Sequence, residues 1–143
     1  MASEPVTALQ ALLIGRACRV SKRESDWAFL FGELILSVSA PWRIVTAAGV
    51  VLGHEDDGQW FGLSSPVDGE SGANEVLADA HVTRVEVDEP TADLRIAFGN
   101  GARLDLFNDS AGYEGWVAIE GWGDTARHFV GRGGGGLVLV EKG

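Results

Sequence analysis

Two stretches of this 143-residue chain alternate apolar and polar side chains with the same beat. In the first, Trp27, Phe29 and Phe31 are followed by Leu34, Leu36 and Val38. In the second, Val85 and Val87 lead to Leu94, Ile96 and Phe98, then to Leu104 and Leu106. A period of two puts each set on one face of a strand, because successive Cβ atoms of an extended chain point to opposite sides. VSKRESDWAFLFG from Val20 and VDEPTADLRIAFG from Val87 also match each other at an offset of 67. Val20 falls on Val87, Trp27 on Leu94, Phe29 on Ile96 and Phe31 on Phe98, and a tryptophan follows in each half, Trp42 and Trp116. Two similar three-stranded meanders are expected, joined by an internal duplication.

That pattern predicts a mainly β domain, an antiparallel sandwich or open barrel of about ten short strands. Twenty glycines against four prolines agree with many tight turns. One helix is expected over 4–14. Ser3 is placed to cap it, Pro5 sits in the first turn where its missing N–H is harmless, and Leu9, Leu12 and Leu13 share a face. The first meander then covers 16–52 and the second 81–141, with a polar insertion over 53–80. Within that insertion QWFGL suggests a strand, SSPVDGESGAN a surface loop, and NEVLADA one or two helical turns. Asn100-Gly101 suggests a type I′ hairpin. All of this fits one domain, with Trp27, Phe29, Phe31, Leu36, Val38, Leu94, Ile96, Phe98, Leu104 and Leu106 as its core.

Charge narrows the partners. The net charge is −10, and residues 51–143 carry seventeen acidic against six basic side chains. Such a balance repels phosphate backbones and anionic lipid, so neither nucleic acid nor a membrane is an expected partner, whereas a basic protein is. No apolar run approaches the ~18 residues of a spanning helix. The N-terminus lacks the basic region of a secretory signal, and Cys18 has no second cysteine to pair with. The expected compartment is cytoplasmic. An uncovered edge strand would permit pairing between copies, so a homodimer is also expected.

Candidate sites are few. Gly131, Gly133 and Gly136 fall on G-x-G-x-x-G, but only LVLVEKG follows the run, leaving no room for the helix and strand of a dinucleotide fold. The glycines predict a flexible hairpin connection. His54-Glu55-Asp56-Asp57 lacks a second histidine at a ligand spacing, so no metal is assigned. His54, His81 and His128 are scattered, and no catalytic residue and no cofactor is expected. A hydrolase or isomerase would require two of His54, His81, His128, Asp109 and Glu114 to converge in a cleft. The remaining candidates are partner- or ligand-binding: Trp42 and Arg43 in one half, and Tyr113, Glu114 and Trp122 in the other, the last three as an aromatic patch. Arg43 is expected to stack on a ring or pair with a buried carboxylate.

SVSAPWRIV and FGNGARLDLFNDSAGYEGW together resemble small β-rich bacterial domains of unknown function, among them immunity-type proteins. The resemblance implies a β-rich intracellular fold and brings no catalytic residues with it. The function expected is therefore non-enzymatic binding of a basic protein through an acidic surface, in its sharpest form an immunity-like role. The alternative is a small-ligand module with an aromatic-lined pocket between the meanders.

Overall fold

The computed structural model describes residues 2–141. Its elements, in chain order, are α1 (Glu4–Leu13), β1 (Arg19–Lys22), β2 (Trp27–Phe31), β3 (Leu34–Val38), β4 (Trp42–Thr46) and β5 (Gly49–Gly53). There follow α2 (Gly69–Leu77), β6 (Val82–Asp88), β7 (Asp93–Phe98), β8 (Arg103–Leu106), β9 (Trp116–Glu120), β10 (Arg127–Gly131) and β11 (Leu137–Glu141). A short 3-10 turn, Gly123–Thr125, lies between β9 and β10.

The strands form two antiparallel sheets, ordered β1-β2-β3-β9-β10-β11 and β5-β4-β8-β7-β6. Each half starts with its own meander, β1-β2-β3 or β6-β7-β8. It then crosses to the other sheet, where β4 lies on β8 and β9 lies on β3. The halves thus trace the same path and exchange strand pairs. Trp42 opposes Leu106 as Trp116 opposes Val38, and Leu104 opposes Ile96 as Leu36 opposes Phe29. One correspondence differs from the sequence alignment. Val20 faces Phe29, but the residue facing Ile96 is Val85, not Val87. The turns account for this: 23–26 and 89–92 are both four residues long but lie at an offset of 66, not 67, which moves the facing residue by two, and a separate bulge lies between Val82 and Arg84.

The layer between the sheets is filled by side chains. Phe29, Phe31, Leu34, Leu36, Ile44, Ile96, Leu104, Leu106, Trp42, Trp116 and Phe129 are all buried there. Each fully buried side chain of this size contributes about 1.5–3 kcal/mol through removal from water.

The two helices close the open flanks. In α1, Ser3 Oγ accepts from the Val6 amide, and Val6, Leu9 and Leu13 turn inward, with the helix touching β6 and β11. A helix of three turns is marginal alone, so that burial holds it. α2 covers the opposite flank, touching β1 and β5. It was legible only in part, since its first turns lie in the stretch expected to be a loop. Asp68 Oδ1 accepts from the Ser71 amide at 3.0 Å, and Ala73 and Leu77 are buried. The helix exists through its cap and its packing, against the low helix propensity of Gly69, Ser71 and Gly72.

QWFGL is no strand. Residues 58–65 form a looped excursion in which Gly58 donates to Val67 O, Val67 donates to Gln59 O and Leu63 donates to Trp60 O. The turn at Asn100-Gly101 also differs from expectation. Gly101 has φ +88 and Asn100 does not have a positive φ. The Phe98 amide bonds to Ala102 O and the Gly101 amide to Phe98 O, which makes a three-residue loop with glycine in the left-handed position. Asn100 spends its side chain on the Val76 carbonyl (2.8 Å) and the Ala102 amide (3.0 Å), tying this turn to α2.

Candidate functional site

Strand direction decides which loops meet. At one end of the sandwich lie the loops 23–26, 39–41, 54–68, 89–92, 107–115 and 132–136; the other end carries 32–33, 47–48, 99–102 and 121–126. Among the candidate residues, Tyr113 and Glu114 belong to the first end and Trp122 to the second. Tyr113 is 84% exposed and Trp122 74%, but they stand at opposite ends of β9 and form no joint patch. Trp42 is buried, edge-on to Trp27 (4.9 Å between centroids) and Phe29 (5.3 Å), and is a core residue.

Arg43 has both partners named for it: its guanidinium lies 5.2 Å from the Phe107 ring, and Nε donates to Asp105 Oδ2 at 3.1 Å. Asp105 is 2% exposed although it points to the outer face of its sheet. Arg95 and Arg103 also donate Nε to it, each at 3.1 Å, so three arginines from β4, β7 and β8 roof one carboxylate. This cross-strand ladder replaces the water Asp105 has lost.

The glycine run is not a free connector. Gly134 donates to Ser110 O at 2.9 Å and Gly136 to Glu89 O at 2.6 Å. A Cβ on Gly133 would meet the Gly112 carbonyl carbon at 2.3 Å, and one on Gly135 would meet Pro90 O at 1.9 Å. Loops 89–92, 107–115 and 132–136 therefore pack backbone on backbone, which only glycine allows. Asn108 locks them: its Nδ2 donates to Thr91 O (2.9 Å) and Arg132 O (2.8 Å), and its amide donates to Asp93 Oδ1 (2.8 Å). Trp116 Nε1 adds a bond to Ala92 O at 2.7 Å.

Beside these loops, Ser39, Ala40, Asp109, Ser110, Tyr113 and Glu114 line a surface cavity of about 660 Å³. Asp109 and Glu114 meet here, and His54, His81 and His128 lie elsewhere. The Ser110 hydroxyl accepts the amides of Gly112 and Tyr113, so it serves the turn. Asp109 and Glu114 thus meet the condition of two polar residues converging in one cleft, with no histidine lining it.

His54-Glu55-Asp56-Asp57 is a turn. Asp56 Oδ2 accepts from Gly53 N at 2.7 Å, and Asp57 accepts from Lys22 Nζ and from Gly69 N. The hydrogen bond from Lys22, then that from Gly69, holds the Asp57 carboxyl below its ordinary range. Among the described residues no group of three His, Cys, Asp or Glu is placed to hold a metal ion, and no helix is long and apolar enough to cross a membrane.

What the sequence did not reveal is the surface that these loops build together. Nine carboxylates (Glu24, Asp26, Glu55, Asp56, Asp57, Asp68, Glu89, Asp109, Glu114) stand on this end against Arg23, Arg132 and Lys22, the last paired with Asp57. Among them project Trp60, Phe61 and Leu63, with Phe61 67% exposed. Phe61 has φ +45, a left-handed conformation that costs an L-residue about 1–2 kcal/mol. The loop bonds at Gly58, Gln59 and Val67 hold this tip outward. Trp60 and Leu63 beside it are 57% and 58% exposed.

No family model matches the chain, and no curated protein or solved structure shows significant similarity to it.

Proposed function

We propose that this chain is a non-enzymatic intracellular binding protein that engages a basic protein through the acidic loop end. The supporting observation is the Trp60-Phe61-Gly62-Leu63 tip set among the carboxylates of that end. Apolar anchors supply most of the binding energy of a typical interface, while surrounding charge steers encounter and selects the partner. A complementary partner carries an apolar pocket ringed by lysine and arginine. An immunity-like role against a basic toxin domain is the sharpest form of this reading.

The matched paths of the halves support an internal duplication, after which the loops diverged. Gln10 and Asn74, four residues before Ile14 and Ala78 that end α1 and α2, both reach the edge strand of the other half, at Val85 O and Val20 O.

Capture from lysate at low and high salt tests the function. The full chain is expected to retain a basic protein at low salt and release it at high salt. A Trp60→Ser/Phe61→Ser variant is expected to fail to retain it even at low salt. If no basic partner with salt-sensitive retention appears, the proposal fails.

A further inference from the structure

Of the four sheet edges, β1 and β6 take side-chain hydrogen bonds from the helices, and β11 and β5 are only flanked by them. On β1, the Val20 amide donates to Asn74 Oδ1 (2.8 Å), Asn74 Nδ2 donates to Val20 O (2.9 Å), and the Lys22 amide donates to Glu70 Oε1 (3.0 Å). On β6, Gln10 Nε2 donates to Val85 O at 2.9 Å. β11 lies beside α1. β5 likewise lies beside α2 but takes no hydrogen bond from it: among the described residues, none beyond its pairing with β4 reaches Val50, Val51 or Leu52. Val50 is 58% exposed, and the run TAAGVVLG, residues 46–53, carries no charge. Of the common guards of a natural edge, lysine, proline and inward-facing charge are missing here, and a bulge at Val51 is the one present.

The topology supplies a template for what belongs there. β5 stands in its half where β10 stands in the other, each the outer neighbour of the strand that begins with the crossover tryptophan. β10 is covered by β11 in five-residue antiparallel register, Arg127 to Glu141 through Gly131 to Leu137. Among the described residues, no strand corresponds to β11 on the β5 side.

We propose that β5 pairs antiparallel with β5 of a second copy, joining two five-stranded sheets into one. A two-fold pairing satisfies the same unpaired edge on both partners at once. Charge permits self-association at this edge. A chain of net charge −10 repels its copies, but residues 46–53 bring no like charges together. The antiparallel direction also sends Glu55, Asp56 and Asp57 of the two copies to opposite ends of the joined sheet. Val51 is the extra residue of a bulge against Ile44 and Val45, which bends the strand and shortens the pairing. The contact is accordingly small, at the low end of the size range of specific interfaces. This inference does not depend on the partner of the loop end.

Sedimentation velocity of the full chain from about 5 μM to 1 mM tests it. The wild type is expected to shift from monomer to dimer across that range. Val50→Lys, at an exposed position, is expected to weaken dimerisation at least tenfold, whereas Val50→Thr retains it. Should Val50→Lys unfold, amide shifts of the wild type on dilution replace it, and they are expected to concentrate in residues 47–53. A wild type monomeric at 1 mM overturns the proposal, as does a dimer that Val50→Lys leaves intact or dilution shifts centred elsewhere. A monomer that instead binds an added LVLVE peptide also overturns it, and gives the edge to a strand of another protein.

Discussion

From β3 to β4 the chain crosses between sheets in three residues, 39–41; from β8 to β9 it takes nine, 107–115. The tryptophan that follows each crossing reflects the difference. Trp42 packs against the rings of Trp27 and Phe29, and its Nε1 is buried with no hydrogen-bond partner. Trp116 gives Nε1 to Ala92 O and lies so close to Gly131 that a Cβ there would sit 2.4 Å from its ring. One β framework is therefore finished in two ways. In the first half the crossing is short and its tryptophan belongs to an aromatic cluster. In the second, the tryptophan, Asn108 and the glycine run fasten three loops into a fixed surface.

Replacing each tryptophan by phenylalanine breaks or sharpens this contrast most strongly. Trp116→Phe loses ring volume and strands the Ala92 carbonyl, a combined cost of about 2–4 kcal/mol. Trp42→Phe loses the same volume but also removes an unsatisfied N–H, so about 1–2 kcal/mol is expected. Denaturant unfolding of both variants measures the gap. Equal losses would mean that the two halves are fastened alike.

A smaller contrast lies where the halves touch, at the bridge between Ala17 and His81. Cys18 follows it in one half and Val82 in the other. Burial pushes the Cys18 thiol from 9.0 up to about 12. The unfolded chain then ionises at lower pH than the native one, so stability held below pH 9 is lost as pH rises toward 12. Cys18→Val is expected to change stability at pH 7 by less than about 1 kcal/mol. It should also flatten the decline between pH 8 and pH 10.5, measured by thermal unfolding at each pH. An unchanged alkaline slope would show that the thiol is not shielded.

Burial explains what could be seen in advance. Phe29, Phe31, Ile96 and Leu104 announce their strands because one face of each must leave water, and that alone sets a period of two. The mainly β fold and the N-terminal helix followed from such patterns. Exchange of strand pairs between halves leaves no periodic trace, so the union of Tyr113 with the loop at 54–68, and its separation from Trp122, was not legible. α2 was hidden because glycine and serine occupy positions that its cap and the burial of Ala73 and Leu77 make helical. Trp60 and Phe61 misled in the opposite direction, since apolar residues outside a core look locally like a strand. Of the candidate site, Arg43 was placed by its own chemistry, whereas the acidic aromatic end required the assembled loops.

Strand exchange implies that neither half keeps its sheet without the other, since β3 rests on β9 and β8 on β4. Native-state hydrogen exchange tests this most directly. The slowest amides of β2, β3 and β9 and those of β4, β7 and β8 are predicted to share one opening free energy, equal to that of global unfolding. An opening of β1-β2-β3 that leaves β6-β7-β8 protected, with the two differing by more than about 2 kcal/mol, would contradict the account.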